Sequence, residues 1–261
     1  MILPGSYVNG FAPRDGQPLY PELWRGCVVA WSPGLGPTGL ALRDWSGLGN
    51  HGTLTNMVAG DDWVTSQGRY ALDFNGGGDR VSVTSSAFAH GAGDFAYSIW
   101  MYPRQIGSNN RLFSFTDDQL NIDLGIFGSG SISYYNGSVS TASSTGVVAA
   151  NQWQHLTMMR RAGVVRVFIN AAEVITHASV VSVSGSRTFH LGGFPTQNFN
   201  GLLDTTMIFS RSLTSNEMQL LSSRRGIAYD LAPRRRSRIF TNGFKAYWAA
   251  RKALIQMAGS N

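Results

Sequence analysis

Leu42-Arg43-Asp44-Trp45-Ser46-Gly47-Leu48-Gly49-Asn50-His51-Gly52-Thr53-Leu54, followed by Ala71-Leu72-Asp73-Phe74-Asn75-Gly76-Gly77-Gly78-Asp79-Arg80-Val81, is the part of the chain that decides its fold. In the first stretch, Gly47, Gly49 and Gly52 permit the positive φ angles of a tight loop, and Asp44, Ser46 and Asn50 carry short polar side chains that can hydrogen-bond the loop's own backbone. His51 belongs to the same loop, and its expected role is a backbone hydrogen bond rather than metal ligation or proton transfer. Upstream, Val28-Val29-Ala30-Trp31 has the length and bulk of a strand. In the second stretch the triplet Gly76-Gly77-Gly78 reads as a hairpin loop between two strands.

Outward from these stretches, residues 26–208 form a succession of short Val/Ile/Phe/Thr-rich runs broken by Gly, Asn and Ser, recurring every 8–15 residues. Arg80-Val81-Ser82-Val83-Thr84 alternates polar and apolar residues. So does Val164-Val165-Arg166-Val167-Phe168-Ile169-Asn170, with a return strand at Glu173-Val174-Ile175. Period two means one buried and one wet face. Residues 95–102, closed by Pro103, and 153–159 are bulkier and suit central strands. Long helical patterns do not intervene, so the pattern predicts an all-β, antiparallel two-sheet jelly-roll sandwich rather than an alternating α/β fold. A short closing helix is signalled at Thr214-x-x-Glu217, a capping box, with Arg224 and Arg225 in its last turn and Gly226 as its stop. A second helix is expected over 243–257, where Phe244, Trp248 and Ile255 share one face. Three parts follow: an arm at 1–26, the sandwich at 27–226 and a tail at 227–261.

Of the 261 residues only 14% are charged and 31 are Gly, while 43% are hydrophobic. That composition excludes disorder and coiled coil. A single cysteine, Cys27, excludes an internal disulfide framework and a four-cysteine zinc site, and its place at the head of an apolar strand marks it as a core residue. The N-terminal Met-Ile-Leu-Pro-Gly-Ser-Tyr lacks the basic and apolar regions of a secretory leader, and no apolar run approaches the ~18 residues of a membrane span. Neither leader-directed export nor membrane insertion is expected. The net charge of +6 is divided unevenly: residues 1–223 hold 12 Arg and 14 acids, whereas 224–261 hold 9 Lys or Arg and a single acid.

The two opening stretches resemble the start of laminin-G-like, concanavalin A-like domains, where Asp-x-Ser-Gly-x-Gly-Asn-His-Gly precedes Leu-x-Phe-x-Gly and Asp-x-Val. Further blocks keep the family's order: Phe95-Ala96-Tyr97-Ser98-Ile99-Trp100, Trp153-Gln154-His155-Leu156, Val165-Arg166-Val167-Phe168-Ile169-Asn170, Phe199-Asn200-Gly201-Leu202-Leu203-Asp204, and the helix at 213–221. The resemblance implies a jelly-roll sandwich. It also implies a calcium site at Asp44 and Asp204, oxygen donors suited to a hard cation, although Asp204 is followed by Thr205 where many relatives have a second acid. His155 is expected to pack or satisfy a buried polar group.

Three function classes compete. Retaining glycoside hydrolysis needs two carboxylates ~5 Å apart, and the only glutamates, Glu22, Glu173 and Glu217, form no such arrangement, so no catalytic residue is expected. Carbohydrate binding is open, with Tyr134, Tyr135 and Asn136 as candidate platform and hydrogen-bonding partners. The tail offers Arg234, Arg235, Arg236, Arg238, Phe244, Trp248 and Arg251 as an anchor to an acidic or apolar partner. Nucleic acid is disfavoured by the −2 body. The layout of sandwich and Arg-Arg-Arg tail is similar to proteins of tailed bacteriophages and prophages. That likeness implies a virion component assembled in the host cytoplasm, such as a capsid decoration or a head- or tail-fibre module. Its expected partners are other virion proteins, copies of itself in a homo-oligomer and host surface glycans. The alternative is a free carbohydrate-binding module of a bacterial extracellular protein, and a glycoside hydrolase comes third.

Overall fold

The computed structural model describes residues 17–107, 110–116, 122–178, 182–193 and 196–232. Among these, two eight-stranded antiparallel sheets stack as a sandwich. The strands are β1 (Cys27–Trp31), β2 (Ala41–Leu42), β3 (Gly52–Thr55), β4 (Trp63–Ser66), β5 (Arg69–Asn75), β6 (Arg80–Ser85), β7 (Phe95–Pro103) and β8 (Asn110–Thr116). They continue as β9 (Ile122–Phe127), β10 (Ser131–Asn136), β11 (Ser140–Ala142), β12 (Gln154–Arg161), β13 (Val164–Ile169), β14 (Ala172–Ala178), β15 (Arg187–Leu191) and β16 (Asn200–Phe209). The first sheet runs β14-β13-β12-β7-β16-β5-β4, with β1 also paired to β16, and the second runs β11-β10-β9-β8-β15-β6-β3-β2.

The two sheets differ in how they are covered. Leu54, Val81, Phe113, Phe115, Leu124, Ile126, Ile132 and Phe189 of the second sheet meet Leu72, Phe74, Tyr97, Ile99, Leu156, Met158 and Ile208 of the first in one core. The first sheet buries its other face as well. Leu23 and Trp24, the helix α1 (Ser215–Ser223) and the turn Ile227–Tyr229 lie over Ala30, Met159, Phe168, Met207 and Phe209. Strands covered on both faces lose the period-two pattern, and β7, β12 and β16 are buried almost throughout. The second sheet keeps its alternation, as in β6.

Helix α1 starts as the sequence predicts. Thr214 and Glu217 form a reciprocal capping box, and Arg211 grips the Glu217 carboxylate with two N–H donors while a third reaches the Arg25 carbonyl. Its end differs from the expectation, because the helix stops at Ser223, and Arg225 turns inward to donate to the Ser66 carbonyl and stack over Trp153 at 4.0 Å. The domain limits also shift. Pro18 bridges to Leu231, and Leu23 and Trp24 are buried, so residues 18–26 and 227–231 belong to the sandwich. The chain divides into two compact units, 1–231 and 232–261. The tail helix over 243–257 lies outside the described residues. Gly76–Gly78 is not a hairpin loop, because β5 and β6 belong to opposite sheets and the triplet carries the chain from one to the other.

Gly192, just after β15, has φ +97°, and a Cβ there would sit 2.4 Å from the Phe74 ring and 2.9 Å from the Asp79 carbonyl oxygen. Gly192→Ala is expected to destabilise the fold by about 2–4 kcal/mol, read as a lower urea midpoint with an unchanged m-value.

Candidate functional site

The loop over residues 44–51 is held by Asp44. Its Oδ1 accepts from the Ala30 and Ser46 N–H groups, and its Oδ2 from the Ser46 hydroxyl and the Asn50 N–H, all at 2.7–2.9 Å. His51 Nδ1 accepts from the Asp44 N–H, as expected for a loop histidine. Asn50 donates to the Val28 carbonyl and accepts from Trp31 Nε1, which pins the loop to β1. Asp204 receives the Gly34 N–H and the Thr205 hydroxyl on Oδ1, while Oδ2 lies 3.6 Å from both Arg69 Nε and Arg225 Nη1. These residues do not fit calcium: donors occupy both oxygens of Asp44, and two guanidinium groups face Asp204. No cluster of three or more His, Cys, Asp or Glu side chains placed to hold a metal occurs among the described residues.

The expected sugar platform splits by strand alternation. Tyr134 points into the sandwich and is 1% exposed, so it offers no ring face to a ligand. Asn136 is buried and accepts from the Ser138 and Val139 N–H groups while its amide meets His177, so it closes the β10–β11 turn. Tyr135 alone faces outward, half-buried, into a groove of about 310 Å³. The residues expected to anchor a partner, Arg234, Arg235, Arg236, Arg238, Phe244, Trp248 and Arg251, lie outside the described residues.

That groove crosses the outer face of the second sheet over β8–β11. Arg111, Asp123, Phe127, Ser133, Tyr135 and Gln197 line it. Register aligns Tyr135 with Asp123 and with Ser140, and Asp123 with Ser114; one step along, Ser133 aligns with Gly125, and Gly125 with Arg111. Gly125 leaves the centre of the floor without a side chain. The groove therefore has a small open floor, aromatic walls at Tyr135 and the 41%-exposed Phe127, and polar groups between them. Such a lining presents apolar ring faces and hydrogen-bonding groups side by side.

Arg111 and Asp123 form an ion pair at 3.1 Å, with the Asp123 side chain only 7% exposed. Burial pushes the Asp123 carboxyl up to about 6 despite the guanidinium. Farther along the same face His190 bonds the Ser82 hydroxyl at 2.7 Å, and burial holds it down to about 4. His155, fully buried against Trp100 and bonded to Ser98, is held down to about 3 by burial. Both stay neutral at physiological pH, as a structural role requires.

A family model described as the Concanavalin A-like lectin/glucanases superfamily matches residues 75–219, more than half of the chain. The chain belongs to that superfamily. Among solved structures, this concanavalin A-like domain is similar to domain 4 of AbnA, a GH43 extracellular arabinanase from Geobacillus stearothermophilus, in complex with arabinotriose. The two share 20% identity at a TM-score of 0.61, over 75% of this chain and 98% of that one. A Trypanosoma rangeli sialidase in complex with sialic acid matches at 14% and 0.63, over 87% of this chain and 38% of that one. The binding domain of Paraclostridial Mosquitocidal Protein 1 matches at 16% and 0.61, over 77% of this chain and 52% of that one. At these identities the likeness is one of fold. The chain spans almost the whole arabinanase domain but well under two thirds of the other two. No curated protein matches it in sequence.

Of the groove residues, the sequence alone points to Tyr135. The signal for Asp123 is present in Ile122-Asp123-Leu124-Gly125-Ile126-Phe127, where Asp123, Gly125 and Phe127 share the face opposite Leu124 and Ile126. Because Asp123 titrates near 6 in the folded chain and near ~4 when unfolded, stability is lost as pH rises through that window. Asp123→Asn is expected to raise stability at pH 7.5 by on the order of 2 kcal/mol, with the gain vanishing by about pH 4; thermal melts at the two pH values test this.

Proposed function

We propose that the protein is a non-enzymatic glycan-recognition module and a surface component of a tailed-bacteriophage particle. The observation that carries the glycan reading is the groove on β8–β11, where Tyr135 and Phe127 flank Arg111, Asp123, Ser133 and Gln197. The fold-mate from the arabinanase, solved in complex with arabinotriose, supports it. Among the described residues the groove holds a single carboxylate, whereas retaining or inverting hydrolysis calls for two. Binding without turnover is the chemistry such a site supplies.

The virion assignment rests on the chain's layout: 14 Arg against 15 acids in residues 1–231, then 7 Lys or Arg and no acid in residues 232–261. Such a tail suits attachment to an acidic or apolar partner in the particle, and the sandwich then faces outward toward host glycans. Virion proteins follow the particle's local symmetry, so the module is expected as a homo-oligomer. The similarity to the arabinanase domain favours a second reading, a carbohydrate-binding module of a bacterial extracellular protein.

Two measurements separate these. On a glycan array followed by calorimetry, the chain is expected to bind oligosaccharides, and Tyr135→Ala to weaken binding about tenfold with its melting temperature unchanged. In gradient-purified particles, the full chain is expected to co-sediment with other virion proteins, and a chain lacking residues 232–261 to be absent from them. Glycan binding without incorporation of the full chain would favour the extracellular module.

A further inference from the structure

We infer that Arg69 and Arg225 together stand in for a divalent cation at Asp204, so that this part of the sandwich is held by built-in charge and reaches full stability without a metal ion. Asp204 lies in β16, and its side chain has no exposed surface. A carboxylate buried this deeply has to be compensated. The Gly34 N–H and the Thr205 hydroxyl donate to Oδ1, while Arg69 Nε and Arg225 Nη1 each stand 3.6 Å from Oδ2. Two guanidinium groups carry the same double positive charge as the calcium ion expected at Asp44 and Asp204. Asp44 needs neither, because its two oxygens already accept four hydrogen bonds.

The surroundings are shaped for these two side chains. Arg69, at the start of β5, lays its guanidinium against Gly34 and Gly226: a Cβ on Gly34 would come within 2.8 Å of Arg69 Cζ, and one on Gly226 within 2.5 Å. A side chain at either position would occupy the place of the guanidinium. Arg225, just after α1, donates from Nη2 to the Ser66 carbonyl at 2.6 Å and stacks over Trp153 at 4.0 Å, which fixes its plane. Burial works against the charge on Arg225, Asp204 supports it and Arg69 opposes it. Asp204 is therefore what allows two like charges to converge. The arrangement joins β4, β5, β16, the turn Pro33–Leu35 and the segment after α1, as a ligated ion would, and a metal approaching Oδ2 would have to displace both guanidinium groups.

The test is thermal melting of the full chain in chelator and in millimolar calcium, with calcium also titrated by calorimetry. The wild type is expected to melt within about 1 °C in the two buffers and to give no saturable heat with calcium. Arg69→Gln and Gly34→Ala are each expected to lower the melting temperature by about 3–6 °C. An alanine at 34 moves the free end of a long side chain rather than backbone, so its effect reads the loss of the Arg69–Asp204 pair. In the Arg69→Gln background Gly34→Ala is expected to add no further loss, and in the Asp204→Asn background the effect of Arg69→Gln is expected to shrink by about half or more. A saturable rise of the wild-type melting temperature with calcium would overturn the proposal. So would Arg69→Gln or Gly34→Ala melting with the wild type, or losses from the two that simply add. Should Asp204→Asn fail to fold, the Gly34 and Arg69 variants decide by themselves.

Discussion

The strands β7, β12 and β16 carry apolar side chains on both faces, and the rest of the molecule is arranged to cover them twice. One face meets the second sheet across the main core; the other needs a separate cover, which α1 and the turns at Pro21–Trp24 and Ile227–Tyr229 provide. Trp100 shows how tightly this cover is joined to the sheet, since its indole N–H donates to the carbonyl of Leu221 at the end of α1. Both ends of the described chain therefore lie on the back of the first sheet. Among the described residues the second sheet is packed on one face only.

That free face is where polar groups accumulate. Across its strands run Ser82, His190, Ser114, Asp123 and Tyr135 in register, a row with neutral histidine, unpaired hydroxyl, raised carboxyl and phenol in succession. Most buried polar atoms in folded proteins are paired. A carboxyl held near 6 lowers stability at neutral pH.

The rim at the other end follows a different logic. Asp44 looks like a cation ligand in the sequence, yet its four accepted hydrogen bonds make it the keystone of the Trp45–His51 loop. Asp204 is likewise absorbed by Arg69 and Arg225, two residues brought to it from distant parts of the chain. An aspartate in a Gly-rich loop has the same local signature whether it binds a metal or its own backbone. Three of the four donors to Asp44 belong to its own loop, in Ser46 and Asn50, whereas the guanidinium groups that face Asp204 come from residues whose proximity is set only by folding.

Local patterns determined the all-β class, the loop chemistry around Asp44 and His51, the capping box at Thr214 and Glu217, and the central placement of residues 95–102 and 153–159. Each depends on neighbours within a few positions, through periodicity, turn residues or caps. Alternation along β10 was enough to set Tyr134 and Tyr135 on opposite faces, but not to say which face was wet. That choice, the passage of Gly76–Gly78 between sheets, and the meeting of Arg111, Asp123, Tyr135 and Gln197 in one groove were decided by tertiary structure. Strand order brings β8, β9 and β10 side by side and adds a residue from the loop before β16. The groove is a property of that strand order and of a sheet face left uncovered among the described residues, and neither is written in any single stretch of sequence.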